Sequence, residues 1–149
     1  MSLQESLGYK FKNENLLDRA LTRKAHASEQ KQKNIPCEDQ EIYRTLGDAV
    51  LKAILVDHLI RSGSATREDI TNKKMKIEAE YNLSEASKKI GIGQMIILGS
   101  GEKKQHAENI PKVLAETLEA IVGAIYLDGG YDTAMKVVKG WITSHLLSE

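Results

Sequence analysis

The chain has 149 residues, 41% of them hydrophobic and 28% charged, with 21 basic against 21 acidic side chains and a formal net charge of zero. That composition fits one folded globular domain spanning residues 1–149 and excludes a disordered or histone-like polybasic chain, while leaving local charged patches open. One cysteine, Cys37, excludes an internal disulfide and a cysteine-rich zinc site and fits a reducing compartment. No apolar run approaches the roughly 20 residues that span a bilayer, and Met1-Ser2-Leu3-Gln4-Glu5 lacks the regions of a signal peptide, so a cytoplasmic protein is expected.

In chain order the pattern is helical almost throughout. Asn13 is placed to cap a helix carrying Leu16, Leu17, Ala20 and Leu21, and a polar loop from Ser28 to Cys37 follows, closed by Pro36. Glu38 to about Arg61 is the longest periodic run and ends at Ser62-Gly63-Ser64. Thr66 with Asp69 three residues on resembles a capping box and opens a helix toward Glu80; Asn82 is placed to cap the next, which stops at Gly91. Ile92 to Leu98 reads as a short strand-like piece or a bent connection, and Gly99 to Asn109 as a charged loop. Pro111 suits a first helical turn and opens a helix to about Asp128. Gly129-Gly130 then breaks the chain before an amphipathic helix with Ala134, Val137, Val138, Trp141, Ile142 and Leu146. With a single candidate strand, the expected fold class is all-α.

Two apolar stretches carry acids. From Val113 to Leu127 the only charged residues are Glu116 and Glu119, one helical turn apart, and Asp48 sits within Leu46-Gly47-Asp48-Ala49-Val50-Leu51. At about 100° per residue Glu41 and Asp48 point the same way, with Arg44 between them. Glu116 and Glu119 share a strip with Ala120 and Gly123, small residues that admit a second helix. Converging carboxylates bind hard cations such as Mg²⁺ or Mn²⁺ and suit chemistry on phosphate esters. Ordinary ion pairs are the bland reading: Arg44 or Lys52 with Asp48, and Lys112 with Glu116, each contributing about 0.3–0.5 kcal/mol when exposed. Spacing alone leaves the two even.

Glu41-Ile42-Tyr43-Arg44-Thr45-Leu46-Gly47-Asp48-Ala49-Val50-Leu51 resembles the signature stretch of the ribonuclease III family, Glu-x-x-Glu-Phe-Leu-Gly-Asp-Ser/Ala. Leu7 to Phe11 with Leu16-Leu17 and Ala20-Leu21-Thr22 is similar to the family's opening helices, and Leu114 to Gly130 to its second acidic motif. The resemblance implies an all-helical, metal-dependent endonuclease domain, commonly a symmetric homodimer. It implies cleavage of double-stranded RNA that leaves 5′-phosphate and 3′-hydroxyl ends. It assigns Asp48, Glu116 and Glu119 to catalysis and metal binding, and Glu41, Arg44 and Glu68 to supporting or cross-subunit places. Mg²⁺ is the implied cofactor, with Mn²⁺ as substitute.

The chain departs from the pattern at Arg44, where the family has a metal-coordinating Glu, and at Thr45, where it has a Phe at the dimer interface. Arg23 replaces the usual His of Ala-Leu-Thr-His, and Ala25 falls where a Ser is common. No double-stranded-RNA-binding domain is expected within the chain, so a separate RNA-binding domain or subunit is a possible partner. Arg44 and Thr45 also motivate an alternative: a catalytically impaired RNA-binding or scaffold protein of the same fold, in a heterodimer or ribosome-associated assembly. Among the basic runs, Lys73, Lys74 and Lys76 are the candidates for gripping RNA phosphates, set against the commoner reading of a solvated face. His26, His58, His106 and His145 show no metal-ligand spacing.

Overall fold

Helix follows helix in the computed structural model, which describes residues 1–146. They are α1 Leu3–Leu7, α2 Glu14–Leu21, α3 Lys24–Gln32, α4 Glu41–Arg61, α5 Arg67–Ile77, α6 Glu80–Ile90, α7 Ser100–Lys104 and α8 Pro111–Trp141. Short 3-10 turns occupy Gly93–Met95 and Ala107–Asn109, and a π-helical turn, Ile142–Leu146, follows α8. The all-α expectation holds. The only strand-like feature among the described residues is one isolated parallel bridge between Thr22 and Ile97. The 92–98 stretch is therefore a bent connection.

The caps expected at Asn13 and Thr66 form: Asn13 accepts from the amide of Asn15, and Thr66 from that of Asp69. Pro111 takes the first turn of α8. Gly130 breaks that helix at φ 86° and ψ 175°, a backbone setting that few residues but glycine adopt. Three local expectations are corrected. The polar loop after Ser28 is helical as far as Gln32 and a loop only beyond it, because Lys, Ala, Glu and Gln favour helix and Ala27 anchors α3 in the core. The charged 99–109 loop contains α7, since Glu102 accepts from the amide of Gly99 and closes its first turn. Asn82 caps nothing: α6 has already begun at Glu80, and the Asn82 amide donates to the carbonyls of Ile77 and Leu146.

The central pair is α4 and α8. From Val113 to Ile125, α8 is buried on nearly all sides, with Glu116 and Glu119 as partly exposed gaps, so it reads as a core helix that other helices surround. Leu51, Ile54 and Leu55 of α4 meet this core, and Leu83, Ala86 and Ile90 of α6 join the same cluster. Two long-range attachments fasten the N-terminal segment to α8. Trp141 Nε1 donates to the Leu7 carbonyl at 2.7 Å, and Asp128 accepts from Tyr9 Oη at 2.5 Å and from the amides of Lys12 and Asn13 at 2.8 and 3.0 Å. Burial first, and then the bond to Asp128, push the Tyr9 hydroxyl up to about 12.

Candidate active site

The site is placed by two glycines. Where α4 crosses α8, a methyl group on Gly47 would fall on the Glu119 carbonyl, with its carbon at 2.7 Å and the Gly123 amide nitrogen at 2.9 Å. A methyl on Gly123 would meet the Tyr43 carbonyl group and lie 3.2 Å from the Gly47 nitrogen. Backbone therefore touches backbone, and the side chains flanking this contact are driven together. Asp48, the neighbour of Gly47, hydrogen-bonds Glu119. The strips of α4 and α8 thus face each other, as the small residues at Ala120 and Gly123 suggested.

The two carboxyls respond in opposite directions. Burial first, then the bond to Asp48 and its negative charge, push Glu119 up to about 8. Burial alone would raise Asp48 too, but the bonds from Lys52 and Glu119 and the fields of Lys52 and Lys74 outweigh it and hold Asp48 low. At neutral pH the pair is then a carboxylic acid donating to a carboxylate. A pair that must share a proton to stay together is one that a cation can hold as well.

Around this pair the acids are matched by bases. Lys52 Nζ lies 2.8 Å from Asp48 Oδ1 and 3.6 Å from Glu78 Oε2, and Lys74 Nζ lies 2.9 Å from Glu78 Oε1. Glu116, with a side chain 14% exposed, is bracketed by two guanidinium groups: Arg44 Nη1 pairs with its Oε2, and Arg23 Nη1 lies 3.1 Å from its Oε1. Arg44 also reaches Glu41 at 3.6 Å. Of the ordinary ion pairs open from the sequence, Lys52–Asp48 forms, while Glu116 takes Arg23 and Arg44 in place of Lys112.

Asp48, Lys52, Glu78, Lys112, Glu116 and Glu119 line one cleft of about 310 Å³. Glu68 is exposed in the first turn of α5 and does not line it; Glu78, just past the other end of α5, does. Lys73 pairs with Asp69 at 3.0 Å, Lys74 turns toward Glu78, and Lys76 is exposed. Glu78, Gln40 and Glu102 went unnoticed in the sequence. Only Glu78 carried a local sign, its i,i+4 spacing from Lys74.

Among the described residues no three or more His, Cys, Asp or Glu side chains form a set able to hold a metal. The donor chemistry of Asp48 and Glu119 nonetheless fits one hard cation. Magnesium is commonly held by one or two carboxylates, its remaining positions filled by water and substrate phosphate. A cleft with carboxylates for a cation and the ammonium groups of Lys52 and Lys112 for an anion suits a phosphate-ester substrate.

A family model described as Ribonuclease-III-like matches residues 13–146. Ribonuclease 3 of Bdellovibrio bacteriovorus is 37% identical over 139 residues, which are 93% of this chain and 58% of that protein. Ribonuclease 3 of Borreliella burgdorferi is 36% identical over 137 residues, 91% of this chain and 55% of that protein. The chain thus spans somewhat over half the length of these relatives. A solved nuclease domain of ribonuclease III from Campylobacter jejuni superposes with a TM-score of 0.87 at 27% identity, covering 96% of this chain and 95% of that one. That domain shows structural flexibility in a region involved in dimer formation.

Proposed function

Because the chain belongs to the ribonuclease-III-like family, we propose that it is a metal-dependent endoribonuclease. Its substrate is double-stranded RNA, and hydrolysis of the phosphodiester leaves 5′-phosphate and 3′-hydroxyl ends. The observation that carries this reading is the contact between Asp48 and Glu119 at the glycine crossing. These two carboxyls would hold Mg²⁺, or Mn²⁺ in its place. The bound cation would supply Lewis-acid stabilisation of charge on the scissile phosphate.

The chain's own groups do the rest. Lys52, held against Asp48, keeps that carboxyl ionised and presents an ammonium to the phosphate oxygens. Glu116 supports the site through the guanidinium groups it fixes, and Glu41 steadies Arg44 from the preceding turn. Glu68, being exposed, is free to serve a second subunit. A homodimer is supported by an outward stripe on α4 at helical spacing, Ile42, Thr45, Ala49, Ala53 and Ile60, in which Ile42 and Ile60 are 62% and 57% exposed. No helix among the described residues is long and apolar enough to cross a membrane.

The test is cleavage of a long RNA duplex with Mg²⁺ or Mn²⁺ by the wild type, Asp48→Asn and Arg44→Glu, with the product ends mapped. The expected result is cutting by the wild type and a loss of about 10²-fold or more in Asp48→Asn. The pairing of Arg44 with Glu116 favours one other outcome. A silent wild type revived by Arg44→Glu would assign the chain to the impaired scaffold class.

A further inference from the structure

We infer that the cleft beside the carboxyl pair, where α3, α4 and α8 begin, is a phosphate-binding subsite that takes one backbone phosphate of the RNA. That the phosphate belongs to RNA rests on the function proposed above; the affinity for phosphate rests on the cleft itself. Its volume is about 350 Å³, and four basic side chains line it, Arg23, Lys24, Arg44 and Lys112, against two acids, Glu41 and Glu116. It shares Lys112 and Glu116 with the cleft of Asp48 and Glu119, so a phosphate bound here belongs to the strand that passes the carboxyl pair.

The cleft is built in advance. Gln40 is 1% exposed, and its amide donates to the Ala20 carbonyl at 2.7 Å and to Thr117 Oγ1 at 3.3 Å. Its fixed Oε1 then accepts from Arg23 Nη1 at 3.0 Å, while Arg23 Nε reaches Glu102 at 3.0 Å. Glu116 ties Arg23 to Arg44, so both guanidinium groups stand in place before any ligand arrives. Planar guanidinium forks match phosphate geometry, and pre-orienting them removes much of the entropic cost of binding. Lys24 and Lys112 are exposed and take part in no ion pair among the described residues, which leaves their charge to a ligand. The first turns of α3 and α8 carry no side-chain cap, so their amides add to a field that the four side chains already make.

On this view Arg44 is more than a lost acid. It exchanges a cation-holding position for an anion-holding one, and Glu116 becomes the bracket that positions it. The Lys73–Lys74–Lys76 run is less suited to the task, because none of the three lines this cleft or the cleft of Asp48 and Glu119.

Binding of a fluorescent RNA duplex is measured by anisotropy in EDTA, where no cleavage occurs, across a range of salt. The proteins are the wild type, Arg44→Gln, Arg44→Lys, Lys112→Gln and, for comparison, Lys76→Gln. Arg44→Gln and Lys112→Gln should each weaken binding about 5–10-fold and reduce the slope of log affinity against log salt by about 1. Arg44→Lys should recover part of the loss, and Lys76→Gln should match the wild type. Lys112 is exposed, so its variant reports on binding even if Arg44→Gln folds poorly. Unchanged affinity and slope in both Arg44→Gln and Lys112→Gln would overturn the subsite whether or not the wild type cuts RNA. A wild type that never cuts, but whose binding depends on Arg44 and Lys112, would sink the enzyme reading and leave the subsite standing. A wild type that does not bind the duplex at any salt concentration would sink both.

Discussion

Replacing Gly47 by alanine adds one methyl group at the α4–α8 crossing, and the local and tertiary effects have opposite signs. Alanine is the better helix former by about 1 kcal/mol, so helix propensity alone makes Gly47→Ala stabilising. The added carbon, however, meets the Glu119 carbonyl group and lies 2.9 Å from the Gly123 nitrogen, whereas comfortable approaches begin at about 3.5 Å. Both obstacles are backbone, so no rotamer change relieves the overlap and the two helices must part by roughly 1 Å. Overpacking of this kind costs about 1–3 kcal/mol, and weaker dispersion along the rest of the crossing adds to it. Against the propensity gain we expect a net loss of about 1–2 kcal/mol, read as a fall in the urea midpoint with an unchanged m-value. In a chain of this size that is about 3–7 °C in Tm. Gly140→Ala is the control: Gly140 also lies in α8, with nothing within 4 Å of the new carbon, and should be neutral or stabilising by up to about 1 kcal/mol. If Gly47→Ala behaves like Gly140→Ala, the glycine crossing is not what sets the site.

Glu119 predicts a pH dependence in the metal-free protein. Its folded value of about 8 lies above the ordinary 4.5, so the folded state keeps a proton that the unfolded chain releases. Its contribution is full below about pH 4.5 and is lost as pH rises through 8; allowing for partial solvent screening, urea midpoints in EDTA should reveal about 2 kcal/mol that Glu119→Gln abolishes. A pH profile unaltered by Glu119→Gln would refute the shared proton. At the far end of the molecule, Asp128→Ala removes the acceptor for Tyr9 Oη and two amides, and should cost about 1–3 kcal/mol. It should also bring the Tyr9 hydroxyl down from about 12, followed by ultraviolet absorbance titration; a tyrosine titration identical to wild type would show that Asp128 does not act on Tyr9.

Features encoded within a turn or two of helix were legible in the sequence. The caps at Asn13 and Thr66, the opening at Pro111 and the break at Gly130 each follow from one residue's backbone chemistry. The small residues Ala120 and Gly123 were legible as a place where another helix comes close, but which helix fills it, and so the facing of Asp48 and Glu119, is a long-range outcome that spacing left as a condition. What escaped depends on partners distant in the chain. Arg23 and Glu116 are 93 positions apart, and Gln40 and Thr117 are 77, so no local pattern announces either bond. Helix α3 was missed for a related reason. A polar segment with Ala27 as its one buried residue offers no apolar stripe to read. Lys52 shows the converse, since an i,i+4 pair is visible locally while its second partner, Glu78, is not.

The glycine crossing also bears on how such a chain can change over evolutionary time. The separation of Asp48 from Glu119 is fixed by two missing side chains and not by the residues around the cleft. Charges at the rim can therefore be exchanged without moving the carboxyl pair. An arginine at position 44 or a lysine at position 52 alters what the cleft attracts while the framework beneath keeps its dimensions. Drift is easy at the rim and costly at Gly47 and Gly123, so a lineage can revise its choice of ligand long before it loses its fold.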